Sequence, residues 1–312
     1  MAGAARRVLL LGSTGFLGRH IRDALARDGT TLSCPTRDRC DLIEMSPEAL
    51  TDLVRRERPS AVVNCAGRIT GTGYDFLRAH PLVTAKLIDA LLAAAPEARL
   101  VRIGSAAEYG WVPDGHLVTE DQPALPVSEY GLSQLTATRL VELAAADRGL
   151  DAVVLRVFNP VGPGLPTGNL LGRACSLIRA ARDRDEQQIE LSMPDSHRDF
   201  VDVRDVAAAV RAALHRPALI SRVYNVASGR AVATREAVRL LAEQAGFTGG
   251  YRLGSDTPAA GRSSAVPWMC GDVSRAEREL DWVPRHRLVD SLAALWSAAP
   301  SRVGAIPQPA PG

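Results

Sequence analysis

The segment Val8-Leu-Leu-Leu11-Gly12-Ser-Thr-Gly15-Phe-Leu-Gly18 decides how this chain is read. Four consecutive apolar residues bounded by a glycine form the short continuous run expected of a strand buried on both faces. Beyond the glycines a helical pattern passes through Ile21, Leu25 and Ala26, so the unit is strand, glycine turn, helix. In that context each glycine has a task. Gly12 permits a tight turn, Gly15 lets backbone approach a pyrophosphate, and Gly18 lets helix and strand pack closely, with the helix N-terminus facing phosphate charge. The expected ligand is a dinucleotide held by Gly12, Thr14, Gly15, Phe16, Leu17 and Gly18.

Working outward, residues 31–34 read as a short strand, and Ser46 caps a helix that opens on Pro47 and buries Leu50, Leu53 and Val54. Residues 61–64 are a further strand, Leu87, Leu91 and Leu92 form the stripe of the next helix, and 100–103 are again a strand. Residues 128–148 read as a helix ended by Gly149, and 152–155 as a strand. This alternation implies an α/β fold, a Rossmann-type doubly wound parallel sheet, over residues 1–164. From about Leu165 it loosens into helical patterns at 170–182, 203–215, 235–245 and 291–298, with strand-like pieces such as 223–226 between them. Residues 165–300 are read as a smaller mixed α/β substrate lobe with returns to the first domain. The Pro-, Ala- and Gly-rich residues 301–312 are read as a disordered tail.

Composition narrows the function. The chain has 312 residues and a net charge of +2, from 37 basic and 35 acidic residues, with no basic run, which argues against a nucleic-acid binder. A chain of this length buries roughly 75% of its unfolded surface and needs no disulfide or metal to hold a core. No apolar stretch reaches the roughly 18 residues that would span a bilayer, and the start lacks a signal-peptide pattern, so no membrane association and a cytoplasmic location are expected. Cys34, Cys40, Cys65, Cys175 and Cys270 are scattered without metal-ligand spacing, so reduced thiols and no metal are expected. Lys86 is the sole lysine, and with the wealth of Ala, Gly and Pro this matches GC-rich codon usage. Any lysine chemistry has to use Lys86.

The end of the second strand discriminates between cofactors, because a ribose 2′-hydroxyl calls for a carboxylate there and a 2′-phosphate for a cation. In Cys34-Pro-Thr-Arg37-Asp-Arg39 the residue so placed is Arg37, which points to NADPH over NADH. The competing reading leaves Arg37 and Arg39 as solvated charges and gives the ribose to Asp38.

Taken together the motifs resemble the extended short-chain dehydrogenase/reductase group, the NAD(P)-dependent epimerase/dehydratase family. They are Gly12 to Gly18, Asp41-Leu42, Asn64-Cys-Ala-Gly67, Gly104-Ser-Ala-Ala-Glu-Tyr-Gly110, Tyr130-Gly-Leu-Ser-Gln134, Arg156-Val-Phe-Asn-Pro160, Arg198-Asp-Phe-Val-Asp-Val-Arg-Asp205 and Asn225-Val-Ala-Ser. Gly104 to Gly110 and Arg262-Ser-Ser-Ala-Val-Pro267 are most similar to reductases of 4-keto-6-deoxyhexose nucleotides. The resemblance implies that Ser105 and Tyr130 form the catalytic pair, Ser105 polarising a carbonyl oxygen and Tyr130 protonating it. It implies further cofactor contacts at Asp41, Leu42, Cys65, Ala66, Gly67, Tyr130 and Gln134. On the substrate side it implies Ser105, Asn159, Arg198 and Arg262, the arginines at a diphosphate, and a homodimer through the helices beginning at Ser128 and around Lys86.

Two positions depart from the family pattern. Gln134 stands where a lysine binds the nicotinamide ribose and lowers the tyrosine pKa, and an amide keeps the hydrogen bonds without the charge. His80, four residues before Thr84, falls where an asparagine commonly feeds a water relay. An epimerase that starts by oxidation needs a phenolate, and a phenol with pKa near 10 is only about 0.1% ionised at neutral pH. Reduction needs the protonated phenol, so Gln134 favours a reductase. Ala106 and Ala107 follow Ser105, with Glu108 one place late for the acid of a dehydratase.

The expectation is an NADPH-dependent ketoreductase of a 4-keto-6-deoxyhexose nucleotide, or of a related keto intermediate of specialised metabolism such as antibiotic biosynthesis. Three alternatives stay open: a ketoreductase of a non-nucleotide, polyketide-type substrate, a nucleotide-sugar epimerase, and a non-catalytic dinucleotide-binding regulator.

Overall fold

Val8 and Leu10 of strand β1 (Arg7–Leu11) pack into one apolar core and Leu9 and Leu11 into another, which is why the run contains no polar residue. The computed structural model describes residues 7–252 and 266–298. In chain order the first part continues with α1 (Phe16–Arg27), β2 (Thr31–Ser33), α2 (Pro47–Glu57), β3 (Ala61–Asn64), α3 (Gly73–Leu77), a π-turn over Arg78–Leu82, α4 (Val83–Ala94), β4 (Arg99–Ser105), α5 (Glu129–Arg148) and β5 (Ala152–Val157). There follow β6 (Asn159–Val161), α6 (Leu170–Asp183), β7 (Gln188–Glu190), β8 (His197–Asp202), α7 (Val203–His215) and β9 (Val223–Val226). The last are β10 (Ala231–Ala233), α8 (Thr234–Gln244), β11 (Gly250–Arg252), β12 (Trp268–Met269), α9 (Ser274–Leu280) and α10 (Leu288–Ser297).

Six parallel strands form the main sheet in the order β2-β1-β3-β4-β5-β9. One face is covered by Ile21 and Leu25 of α1, Val206 and Val210 of α7, and Leu280 of α9. The other is covered by Leu50 and Val54 of α2, Leu87 and Leu91 of α4, and Val141 of α5. This is the doubly wound, Rossmann-like arrangement expected. Each large aliphatic side chain so buried contributes about 1.5–3 kcal/mol.

The strand-like piece at 223–226 lies beside β5 in this main sheet, with Val154 opposite Val223 and Val157 opposite Val226. All four of its residues are buried, and only the sheet edge next to β5 covers both of their faces. The chain between β5 and β9 is thus a long crossover. Helix α7 is its packed part, and β6 and β8 before it join β10 and β12, which follow β9, in a second sheet where β8 pairs with all three. A third apolar cluster, including Ile178 of α6, Leu241 of α8 and Leu292 of α10, covers that sheet. Its centre is the buried carboxylate of Asp199, which accepts hydrogen bonds from the Ser228 amide (2.7 Å) and hydroxyl (2.7 Å) and from the Gly229 amide (2.9 Å). The residues read as a tail, 301–312, lie outside the described residues. Among the described residues no helix is long and apolar enough to cross a membrane.

Lys86 sits in α4, and its ammonium donates to the carbonyls of Leu42 (2.6 Å), Ile43 (3.2 Å) and Met45 (2.8 Å). Its three donors are therefore committed to the turn after Asp41. Lys86→Met leaves these carbonyls unpaired and is expected to destabilise the fold by about 2 kcal/mol, measured as a lower urea midpoint at unchanged slope.

Candidate active site at the carboxyl edge of the sheet

Gly12 has φ +79°, and a Cβ there would lie 2.6 Å from the Ala66 amide nitrogen and 2.8 Å from the Cys65 carbonyl carbon. Only glycine lets the turn after β1 rest against the backbone after β3. The chain leaves β1 for β2 on one side and returns to β3 on the other, so this contact marks the switch point of the sheet, where open α/β folds bind ligands. The Gly15 amide donates to the Gly12 carbonyl (3.0 Å), and α1 begins at Gly15 without a side-chain cap. Thr14 and Gly15 are exposed, and Phe16 and Leu17 half-buried. Across the crevice Asn64 Oδ1 accepts from the Ala66 amide (3.1 Å), which fixes the stretch from Cys65 to Gly67. This bare, amide-rich cradle fits a dinucleotide pyrophosphate.

At the far end of the crevice Arg37 is mostly exposed (78%) and pairs through Nε with Asp41 Oδ2 at 3.0 Å. Partial burial works to raise the Asp41 pKa, but hydrogen bonds from Arg37 and from the Ile43 and Glu44 amides outweigh it and hold the carboxyl below its usual range. Asp38 is also exposed, and Leu42 is buried.

Ser105 ends β4. Its Oγ accepts from the Ala107 amide (3.2 Å), and its own amide donates to Glu108 Oε1 (3.0 Å), a reciprocal cap that sets the turn Ala106–Glu108. Tyr130 lies in the first turn of α5, whose start is capped by Ser128 accepting from the Gly131 amide (3.1 Å). A Cβ on Gly131 would fall 2.4 Å from the Ala107 carbonyl oxygen. Helix α5 therefore comes hard against the turn that follows Ser105, and the residue before Gly131 is Tyr130. The Tyr130 ring is buried edge-on against Phe76 (5.6 Å) and His80 (5.5 Å).

His80 occupies the π-turn before α4 and is pushed down to about 4 by burial and then by the charge of Arg102. It is neutral. Its Nε2 accepts from the Arg68 amide (3.3 Å), so Nδ1 donates to Ser133 Oγ (2.8 Å), which donates to the Tyr130 carbonyl (2.8 Å). His80 thus ties the chain after Gly67 to the turn that carries Tyr130.

Gln134, one turn beyond Tyr130, is buried, and its Oε1 accepts from Arg102 at 2.5 Å. Arg102 reaches Thr138 Oγ1 as well (3.4 Å), and Thr138 donates to Glu108 Oε2 (2.8 Å). Glu108 Oε2 also accepts from Arg156 Nε (2.8 Å). Sequence reasoning missed Arg102, the part played by Glu108, and Ser133. The available signal was an arginine inside each of two apolar strand runs, Leu100-Val-Arg102-Ile and Val154-Leu-Arg156-Val. The register sets Gly104 opposite Arg156, so Arg102, Gly104 and Arg156 share the sheet face that α5 covers.

On the substrate side, half-buried Asn159 donates from Nδ2 to the Asp199 carbonyl (2.8 Å). Arg198 is buried, and its guanidinium donates to the carbonyls of His197 (2.9 Å), Pro267 (3.4 Å) and Val266 (2.6 Å). Burial lowers its pKa to about 10. Arg198 thus clamps the chain at 266–267, while Arg262 lies outside the described residues. Among the described residues no three His, Cys, Asp or Glu side chains gather as metal ligands.

The family model for the NAD dependent epimerase/dehydratase family matches residues 8–227. A dTDP-6-deoxy-L-talose 4-dehydrogenase (NAD(P)(+)) of Kitasatospora kifunensis is 37% identical over 310 residues, covering 95% of this chain and 96% of that one. A UDP-glucose 4-epimerase of Azospirillum brasilense is 31% identical over 321 residues, covering 93% and 90% respectively. The solved structure of RMD from Pseudomonas aeruginosa complexed with NADPH is similar with a TM-score of 0.81 at 29% identity, over 94% of this chain and 97% of that one. The matched residues include the Gly12 turn, Ser105, Tyr130 and Gln134, and the chain belongs to the NAD dependent epimerase/dehydratase family.

Proposed function

We propose that this protein is an NADPH-dependent ketoreductase acting on the 4-keto group of a 6-deoxyhexose nucleotide. The observation that carries the reading is the approach of α5 to the turn after Ser105 at Gly131, which brings Tyr130 and Ser105 to one edge of the sheet beside the Gly12–Ala66 switch point. Similarity over nearly the full chain to an enzyme named for the 4-position of a dTDP-6-deoxyhexose supports it. So does the likeness to a structure complexed with NADPH.

A bound reduced nicotinamide supplies the hydride. The turn Gly12 to Gly18 and the stretch Cys65 to Gly67 hold the dinucleotide, with Asp41 and Leu42 at its adenosine end and Arg37 meeting the ribose phosphate. Ser105 donates a hydrogen bond to the carbonyl oxygen and polarises it. Tyr130 gives that oxygen its proton as hydride reaches carbon. Gln134 hydrogen-bonds the ribose. Asn159 lines the substrate side, Arg198 holds the backbone at 266–267, and Arg262 meets the diphosphate. A homodimer through α4 and α5, where Leu132 and Leu143 stand exposed, belongs to the same reading.

Similarity to a UDP-glucose 4-epimerase carries a second reading, in which the alcohol is oxidised first and the cofactor is regenerated in place. Stoichiometry separates the two. A reductase given a dTDP-4-keto-6-deoxyhexose consumes one NADPH for each product formed, whereas an epimerase interconverts C4 isomers with no net loss of absorbance from the nicotinamide.

Three variants test the assignments. Tyr130→Phe is expected to lower kcat by about 10²–10⁴-fold with cofactor affinity kept in calorimetry, and full turnover in this variant overturns the reading. Arg37→Ala should weaken NADPH about tenfold and leave NADH unchanged. Arg262→Ala should raise KM for the sugar nucleotide about tenfold with little change in kcat, and an unchanged KM points to a substrate without a diphosphate.

A further inference from the structure

Arg102 is a buried cation in the middle of β4, 3% exposed. Its described hydrogen bonds go to the neutral side chains of Gln134 and Thr138. The carboxylate of the same network, Glu108, is in ion-pair contact with the other arginine, Arg156. Two guanidinium groups against one carboxylate leave a net positive charge under the edge of the sheet where α5 begins. An arginine stays protonated in such a place, and a buried charge not neutralised by a partner is costly. The fold retains it against Gln134, one helical turn beyond Tyr130.

We infer that Arg102 is a positioning residue for the reaction at Tyr130: it orients the Gln134 amide and supplies positive charge against the negative charge that the phenol oxygen gains as its proton leaves. The inference rests on the reading of Tyr130 as the proton donor. Arginine can only donate, so the Gln134 oxygen must face it, and the amide NH2 end, which carries donors alone, is left for a ligand. Tyr130 and Gln134 are one helical turn apart on the same side of α5, so the charge acts from behind the amide. Burial pulls the Arg102 guanidinium below the usual arginine range, while Glu108 and then the Tyr130 phenol work against that shift. The same charge is felt at His80. The groups that face this site are Arg102 from β4, Glu108 from the turn after it, Arg156 from β5 and neutral His80 from the π-turn. Of these only Arg102 contacts Gln134.

The test is an ultraviolet difference titration of the phenolate in cofactor-free protein, with Tyr130→Phe as the reference that isolates Tyr130. Arg102→Met is expected to move formation of the Tyr130 phenolate to higher pH by about one unit. Arg102→Lys keeps charge but loses the guanidinium fork, so it is expected to move it by less than half as much. Equal movement in the two variants, or none in either, overturns the inference. Should Arg102→Met not fold, Arg102→Gln, which keeps hydrogen-bond donors and removes the charge, is expected to move the titration to higher pH by a similar amount, and no movement overturns the inference. With a dTDP-4-keto-6-deoxyhexose and NADPH, the alkaline limb of kcat/KM should follow the same order. A still titration alongside an inactive Tyr130→Phe defeats this inference alone, while an active Tyr130→Phe defeats the reading beneath it.

Discussion

Glu108 carries a carboxylate with no solvent exposure, and the geometry of the candidate site depends on how that charge is satisfied. It accepts from the Ser105 amide at the end of β4, from Thr138 on α5 and from Arg156 on β5. Three elements distant in sequence are therefore held by one group. A buried carboxylate lacking any of these donors is strongly destabilised, so the set forms together. Gly104 belongs to the same constraint, since a Cβ there would lie 2.7 Å from Glu108 Oε1. The residue that sequence reasoning weighed only as an acid displaced from a dehydratase position thus anchors the turn that presents Ser105.

The second sheet repeats the device with Asp199. Its carboxylate gathers the amides of Ser228 and Gly229, and the Asp199 carbonyl holds Asn159. The lobe that covers the crevice is thereby tied to the end of β9. Arg198, next along the same strand, clamps residues 266–267 through their carbonyls. In each sheet a buried carboxylate gathers donors from elements distant in sequence, which fixes the neighbouring turns where strands are as short as two or three residues and apolar burial is limited.

The parts most legible in the sequence were those whose cause is local. Strand β1, the glycine turn and α1 follow from an apolar run, three glycines and a helical period. Helices α2 and α5 begin at the caps Ser46 and Ser128, which accept from Ala49 and Gly131. Strands β6 and β8 were not legible because their residues include Asn159, Arg198, Asp199 and Asp202 and show no period-2 apolar alternation, and β10 and β12 because three and two residues are too few to show a period. Gln134 was read as leaving the neighbourhood of Tyr130 uncharged. The structure brings Arg102 to its amide, so a positive charge is present there from the sheet side.

Residue order alone determined the strand–turn–helix unit, the succession of main-sheet strands from β1 to β5 and the motifs that identify the family, because each depends on backbone conformation and on periodicity within a few neighbours. Tertiary structure decided which charges are buried and what they hold. Lys86 secures a turn 41–44 residues away, Arg102 meets Gln134 across 32 residues, and Glu108 meets Arg156 across 48. Among the described residues Arg99, Arg102, Arg156 and Arg198 are buried, and the packing of β4, β5 and α5 against one another decides which two of them lie beneath the candidate site. The cost of burying a charge is set by partners that no local pattern contains.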